Sequence, residues 1–311
     1  LARAPLPTPS PYGYLWRLMA DSIKVRSAIG SVLITAICGL IYFDYSSGHG
    51  WGAIAIAVLL VAAGLAEYAR MAGTLAPLPT RRLVLAGAGY VLLKGLAYEV
   101  DPRLHMLAGP WVVAFAYSLF FDALQGAPSK ERFRSLALTA FGFFYLPFLG
   151  GYALDARFLP LANPGMPAIG TAAFFYTITI AKGTDIFAYF SGKLLGKTKV
   201  VPSVSPGKTV AGFVGAIVGG VVITVVFCKF SALGEVLPLP LGIGAGMLMA
   251  LVGISGDLIE SFIKRSVAVK DSASLLPNFG GVLDIVDSVV ICAPCVVFLL
   301  LAAHHGKVYL S

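Results

Sequence analysis

The run from Val210 to Cys228, VAGFVGAIVGGVVITVVFC, carries no charged side chain from end to end. A bilayer's hydrocarbon core asks for about 20 such residues in one helix. The run does not alternate apolar and polar positions, so it is not the strand of a membrane barrel. Outward from it, eight further apolar runs recur at similar length: 27–43, 51–69, 83–98, 109–125 and 136–152 before it, with 168–190 adjoining, and 239–256 and 281–303 after it. The spacing predicts an all-α polytopic membrane protein of nine transmembrane helices.

Composition agrees. Of 311 residues, 58% are hydrophobic and 12% charged, about half the charged share of a soluble domain. Disorder, a basic nucleic-acid-binding domain and an ordinary soluble enzyme are excluded. The net charge of +8 describes loops and lipid headgroups, and no nucleic acid is expected. Seventeen of the 23 Lys and Arg fall in alternate connections: ahead of the first run and after the second, fourth, sixth and eighth. That asymmetry predicts a cytoplasmic N-terminus and an outside C-terminus. The expected division is a cytoplasmic segment 1–26, helices one to five over 27–165, and a catalytic part with helices six to nine over 166–311. The chain opens on Leu1 and Leu1–Pro11 is proline-rich without a signal-peptide pattern, so a start inside the gene product is expected. Cys38, Cys228, Cys292 and Cys295 lie in or beside apolar runs and are read as packed thiols, the CxxC spacing of the last two included.

Charges inside apolar runs are costly, so each asks for a reason. Lys182 and Asp185 share one face of the sixth run, three residues apart, and read alone as a self-neutralising pair. Ser205 and Pro206 have the chemistry of an N-cap and a first-turn residue, so a helix is expected to start there, its dipole and Lys208 and Thr209 suiting a phosphate. Gly207-Lys208-Thr209 is not a nucleotide P-loop, because position 202 is Pro where the motif needs Gly. Asp257, Glu260, Ser261 and Lys264 recur at 0, +3, +4 and +7 on one helical face. Asp284 and Asp287 stand one turn apart behind Gly280-Gly281. Two carboxylates on one turn repel unless a cation lies between them. Hard oxygen ligands with lysines opposite suit Mg²⁺ and a nucleotide.

The stretch from Ser261 through Lys264-Arg265, Lys270-Asp271, Pro277, Phe279-Gly280-Gly281 and Asp284 to Asp287 resembles the signature of the phosphatidate cytidylyltransferases, or CDP-diacylglycerol synthases. Ser205-Pro-Gly-Lys208-Thr209 with Gly212 is similar to a second element, Asp185 with Ala188-Tyr189 and Gly192 to a third, and Glu67-Tyr-Ala-Arg-Met71 to an N-terminal one. The chain departs from the pattern at Phe279 (His in the family), Ile285 (Arg), Ala211 (Glu) and Gly207 (Lys). The resemblance implies transfer of the cytidylyl group of CTP to phosphatidate, giving CDP-diacylglycerol and pyrophosphate for phospholipid biosynthesis, with Mg²⁺ as cofactor and bilayer lipids as surroundings. It implies catalytic roles for Asp257, Lys264, Arg265, Lys270, Asp271, Asp284 and Asp287, with Asp284, Asp287 and Asp257 on the metal. Asp185, Ser205, Lys208, Thr209, Ser261, Gly280 and Gly281 are implied in substrate binding. The site is expected to face the cytoplasm, across the inner membrane if the source is bacterial, and a homodimer is compatible with this reading. Two alternatives stay open: a CTP-dependent polyprenol or lipid kinase, and a secondary transporter coupling through intramembrane Asp and Lys. The CDP-alcohol phosphotransferases are disfavoured, since no Asp-x-x-Asp-Gly-x-x-Ala-Arg occurs.

Overall fold

The computed structural model describes residues 35, 39–40, 42–158, 167–268 and 281–310. The segment 1–26, most of the run 27–43 with Cys38, and Lys270, Asp271, Phe279 and Gly280 lie outside them. The first half comprises α1 (Trp51–Ala72), α2 (Thr80–Val100), α3 (Ala108–Leu124) and α4 (Lys130–Phe143). A π-helical turn, Phe144–Phe148, follows α4 and leads towards the short α5 (Tyr152–Arg157). Pro147 sits inside that turn; proline cannot donate in an α-helical ladder, and the wider turn accommodates it. The second half holds α6 (Pro167–Leu195), a two-stranded antiparallel ribbon of β1 (Lys199–Val201) and β2 (Ser205–Thr209), α7 (Val210–Phe230), α8 (Leu239–Ser266) and α9 (Val282–Leu310).

Among the described residues, six helical stretches are long and apolar enough to cross a membrane: α1, α2, Lys130–Arg157, α7, α8 and α9 as far as His304. Helix α3 is apolar but shorter, at 17 residues. The protein is an all-α polytopic membrane protein. One buried core joins α1–α5 to the first turns of α9 through Leu65, Leu83, Leu146 and Leu283; a second joins α5, α6, α8 and the body of α9.

One local outcome differs from the sequence reading. The helix expected at Ser205 starts five residues later, at Val210, with Thr209 as its N-cap: Thr209 Oγ1 accepts from the Gly212 N–H at 3.1 Å. Ser205–Thr209 instead pairs as a strand, Lys199 opposite Thr209 and Val201 opposite Ser205. Pro206 is tolerated because a two-stranded ribbon leaves one edge of β2 unpaired, and the buried Thr209 competes better as a cap than Ser205. Lys94, a charge within the third run, finds its partner outside the runs. Its ammonium lies 2.6 Å from Asp155 Oδ2, and the same carboxylate accepts from Tyr98 Oη at 2.6 Å. Asp155 lies just past the fifth run as read from hydropathy, so the pair is not visible from the runs alone. At that end of α1, the buried Asp44 caps the helix, accepting from the Gly52 and Ala53 N–H groups at 2.7 and 2.8 Å.

Helices α7 and α8 meet backbone to backbone. A Cβ on Gly246 would stand 2.6 Å from the carbonyl oxygen of Gly220, whereas one on Gly244 would meet nothing within 4 Å. Gly246→Ala should therefore destabilise the protein by about 1–3 kcal/mol, the usual cost of overpacking, read as a lower unfolding midpoint in detergent. Gly244→Ala should leave the midpoint in place. Equal effects of the two would mean that the helices do not touch there.

Candidate active site

The site is built where α9 begins. Gly256 of α8 lets the two helices close: a Cβ there would lie 2.9 Å from the Asp287 carbonyl and from Ser288 Cα. This approach sets the acids of α8 against those of α9. Lys264 Nζ bonds Glu260 Oε2 at 2.7 Å on its own helix and Asp284 Oδ1 at 2.7 Å across the gap. The other oxygen of Asp284 accepts from the Gly281 N–H at 2.7 Å. From α6, Lys182 Nζ reaches Asp287 Oδ1 at 2.7 Å, closer than the 3.9 Å to Asp185 on its own helix. The pair read from sequence as self-neutralising is therefore shared with α9. Asp185 Oδ2 accepts from Ser288 Oγ at 3.1 Å, and Asp287 Oδ1 also accepts from the Ser288 N–H at 2.6 Å.

The ribbon closes one side. Lys208 Nζ bonds Asp257 Oδ2 at 2.6 Å and the Ile254 carbonyl at 3.1 Å. Between ribbon, α6 and α8 lies a cavity of about 530 Å³, bordered by Asp185, Lys193, Ser205, Lys208, Thr209 and Asp257. Three of those groups are cationic or hydroxylic ribbon side chains and two are carboxylates. The cavity thus offers both cations for phosphate oxygens and acids for a metal.

One carboxylate oxygen each from Asp257, Glu260 and Asp287 converge within 4.8 Å of one another. Glu260 is 1% exposed and its Oε1 is buried without a hydrogen-bond partner. Five carboxylates (Asp185, Asp257, Glu260, Asp284, Asp287) face three ammonium groups (Lys182, Lys208, Lys264). An orphaned buried acceptor and an all-oxygen donor set fit a small hard divalent cation.

Of the residues singled out from sequence, Asp185, Ser205, Lys208, Thr209 and Asp257 border the cavity, and Lys264, Asp284 and Asp287 form the charge network beneath it. Gly281 opens α9. Ser261 is half-buried and Arg265 exposed on the last turns of α8, away from the cavity lining. Asp284 was grouped with Asp257 and Asp287 from sequence; the trio that converges has Glu260 in its place, while Asp284 is engaged by Lys264 and Gly281. Glu260 shared the helical face of Asp257 in the sequence, but with Lys264 four residues on it also looks like an ordinary surface pair. The sequence reading gives Lys182 and Glu67 no site role either. Glu67, wholly buried on α1, accepts from the Val282 and Leu283 N–H groups of α9.

Fold and site together define a polytopic helical membrane protein with a cation-and-carboxylate cavity at one end of its second half. The chain belongs to the cytidylyltransferase family, whose model matches residues 24–303. It is similar to the phosphatidate cytidylyltransferase of Bacillus subtilis, 41% identical over 133 residues, covering 42% of this chain and 48% of that protein. It is 32% identical to the Staphylococcus aureus phosphatidate cytidylyltransferase over 221 residues, 68% of this chain and 81% of that one. With Escherichia coli YnbB, an uncharacterized protein, identity is 28% over 291 residues, covering 90% and 89%. The alignments take in about half the length of the chlamydial and Bacillus relatives.

The network makes Lys264 the shared cation of two acids. Lys264→Met should cost about 3–5 kcal/mol of stability, because it strands buried carboxylates. Adding Glu260→Gln and Asp284→Asn to Lys264→Met should recover much of that loss in denaturant or thermal unfolding. A single Lys264→Met protein as stable as the wild type would show that the acids do not depend on it.

Proposed function

We propose that the protein transfers the cytidylyl group of CTP to phosphatidate, releasing CDP-diacylglycerol and pyrophosphate. One observation carries this reading: a cavity whose cationic ribbon faces converging carboxylates, set among helices apolar enough to lie in a bilayer. Family membership and the names of the Bacillus and Staphylococcus relatives support it. The substrates explain the architecture, since phosphatidate is confined to the membrane and CTP arrives from water. A phosphate oxygen of phosphatidate attacks the α-phosphorus of CTP, the α–β bridging bond breaks, and the electron pair leaves with pyrophosphate. No protein nucleophile takes part. Lys208, with Lys193 beside it, draws the triphosphate against the ribbon, Thr209 and Ser205 offer hydroxyls, and Asp185 with Ser288 shapes the far wall.

Mg²⁺ is the proposed cofactor, held by Asp257, Glu260 and Asp287. When bound it supplies charge neutralisation and orientation for the polyphosphate. Lys182 ties Asp287 of the trio to Asp185, and Lys264 ties Glu260 of the trio to Asp284, so the trio keeps its spacing. Nine crossings with the N-terminus and the site on the cytoplasmic face complete the proposal, supported by the alternation of basic connections along the sequence. The division into 27–165 and 166–311 is proposed on the same footing, the five site carboxylates all lying on α6, α8 and α9.

Purified protein in mixed micelles with CTP, phosphatidate and Mg²⁺ should form CDP-diacylglycerol and pyrophosphate in equal amounts. Lys208→Ala should lower kcat/KM for CTP about ten- to hundredfold, the worth of one charge-assisted bond. Arg82→Ala, which breaks an exposed pair with Asp122, should stay near wild type. Release of CDP in place of pyrophosphate would make the protein a lipid kinase, and substrate movement without nucleotide consumption a transporter.

Metal binding is checked without turnover, by Mn²⁺ titration followed by electron paramagnetic resonance. Glu260→Gln and Asp287→Asn should each weaken Mn²⁺ binding at least about tenfold, and Asp284→Asn less. The reverse order would return the metal to Asp284.

A further inference from the structure

The N-terminus of α9 is held from the other half of the molecule. Glu67 lies near the end of α1, 215 residues before Val282, and is 0% exposed. Its Oε1 accepts from the Val282 N–H at 2.9 Å and its Oε2 from the Leu283 N–H at 2.9 Å. The preceding N–H, of Gly281, is taken by Asp284 at 2.7 Å. These are the donors that a helix leaves without intrahelical partners at its start. A carboxylate gripping two successive N–H groups fixes more than their hydrogen-bonding: with both oxygens engaged, it sets the depth of α9 and its rotation about its own axis. Rotation decides where Asp284 and Asp287 point, and those two must meet Lys264 of α8 and Lys182 of α6 at 2.7 Å each. Leu283 and Val286, which flank the acids, are buried in the α1–α5 core, so the contact is apolar around the carboxylate and water does not replace it.

We infer that Glu67 is a positioning residue for the active site: its bidentate grip on the first turn of α9 aims Asp284 and Asp287 at their partners on α6 and α8. The inference rests on the proposed cytidylyl transfer for its kinetic readout, and on helix geometry for a second one. Glu67 lines neither the cavity nor the carboxylate trio, so its link to them runs through its grip on α9. Asp44 is the matched comparison. It is equally buried and grips two N–H groups at the opposite end of α1, far along the sequence from every site residue. Removing either acid strands two buried N–H groups; only Glu67 holds a helix that bears site carboxylates.

The test compares Glu67→Gln, Glu67→Ala and Asp44→Ala in the full chain. Glu67→Ala should lower kcat about a hundredfold, the scale of a misplaced reacting group, with KM for CTP within about threefold, because the ribbon that meets the nucleotide is untouched. Glu67→Gln keeps one acceptor and should lose only about tenfold. Asp44→Ala, assayed per folded molecule, should keep kcat near wild type. In parallel, spin labels at Phe298→Cys on α9 and Leu248→Cys on α8, with the four native cysteines replaced, report the interhelical distance by pulsed electron resonance. Glu67→Ala should shift or broaden that distance and Asp44→Ala should not. An unchanged distance in Glu67→Ala, or equal kinetic losses from Glu67→Ala and Asp44→Ala, overturns the inference. If the wild type makes no CDP-diacylglycerol, the proposed function fails, and the distance measurement by itself decides the role of Glu67.

Discussion

Charge in an apolar medium has to be answered from within the protein, and that constraint organises the second half of this molecule. The first turns of α9 carry Asp284 and Asp287 into a helix otherwise rich in Val and Leu. Among the described residues, neither carboxylate pairs with a cation of its own helix. Lys182 reaches Asp287 from α6 and Lys264 reaches Asp284 from α8, each at 2.7 Å. Since an uncompensated buried ion costs several kcal/mol, these bonds tie three helices into one arrangement. The glycine contact at Gly256, the capping of α9 by Glu67 and the placement of Asp257 beside Lys208 all serve that geometry.

Hydropathy is the level at which the sequence is plain. The runs 51–69, 83–98, 109–125, 210–228 and 239–256 lie within α1, α2, α3, α7 and α8 to within a residue or so at their ends, because a helix in hydrocarbon must be apolar along its whole length. Helical spacing also sets Asp257 beside Glu260 and Asp284 beside Asp287, since residues three apart share a face. What spacing does not carry is the choice of partner across helices. Lys182 stands three residues from Asp185, yet bonds Asp287, 105 residues on, more closely. Glu67 meets Val282 with 215 residues between. Ser205 has the chemistry of a cap, but strand pairing with Val201 claims it, and Thr209 caps instead. Local propensity gave way to a ribbon that only tertiary packing supports.

The two ends of α1 show one device used for two purposes. Asp44 closes the start of the helix with two hydrogen bonds to its own first turn, a local matter of satisfying donors. Glu67 makes the same pair of bonds to another helix. Both acids belong to the half of the chain that carries none of the five site carboxylates, and the second makes that half part of the site's architecture. The buried Lys94–Asp155 pair adds a further tie within the same half.

Because Gly246 and Gly220 bring α7 and α8 into backbone contact, no side chain stands between them at that crossing to swing aside. The pair therefore behaves mechanically as a single beam. A beam of this kind does not breathe: width cannot be gained by sliding its members apart without breaking their shared surface. The ribbon Lys199–Thr209 is attached at one end to α6 and at the other to that beam, and it borders the cavity with Lys199, Ser205, Lys208 and Thr209. Any change in the size of the cavity's mouth is consequently borne by a few residues of ribbon, and the compliance of the site is a property of a hairpin and not of the bundle.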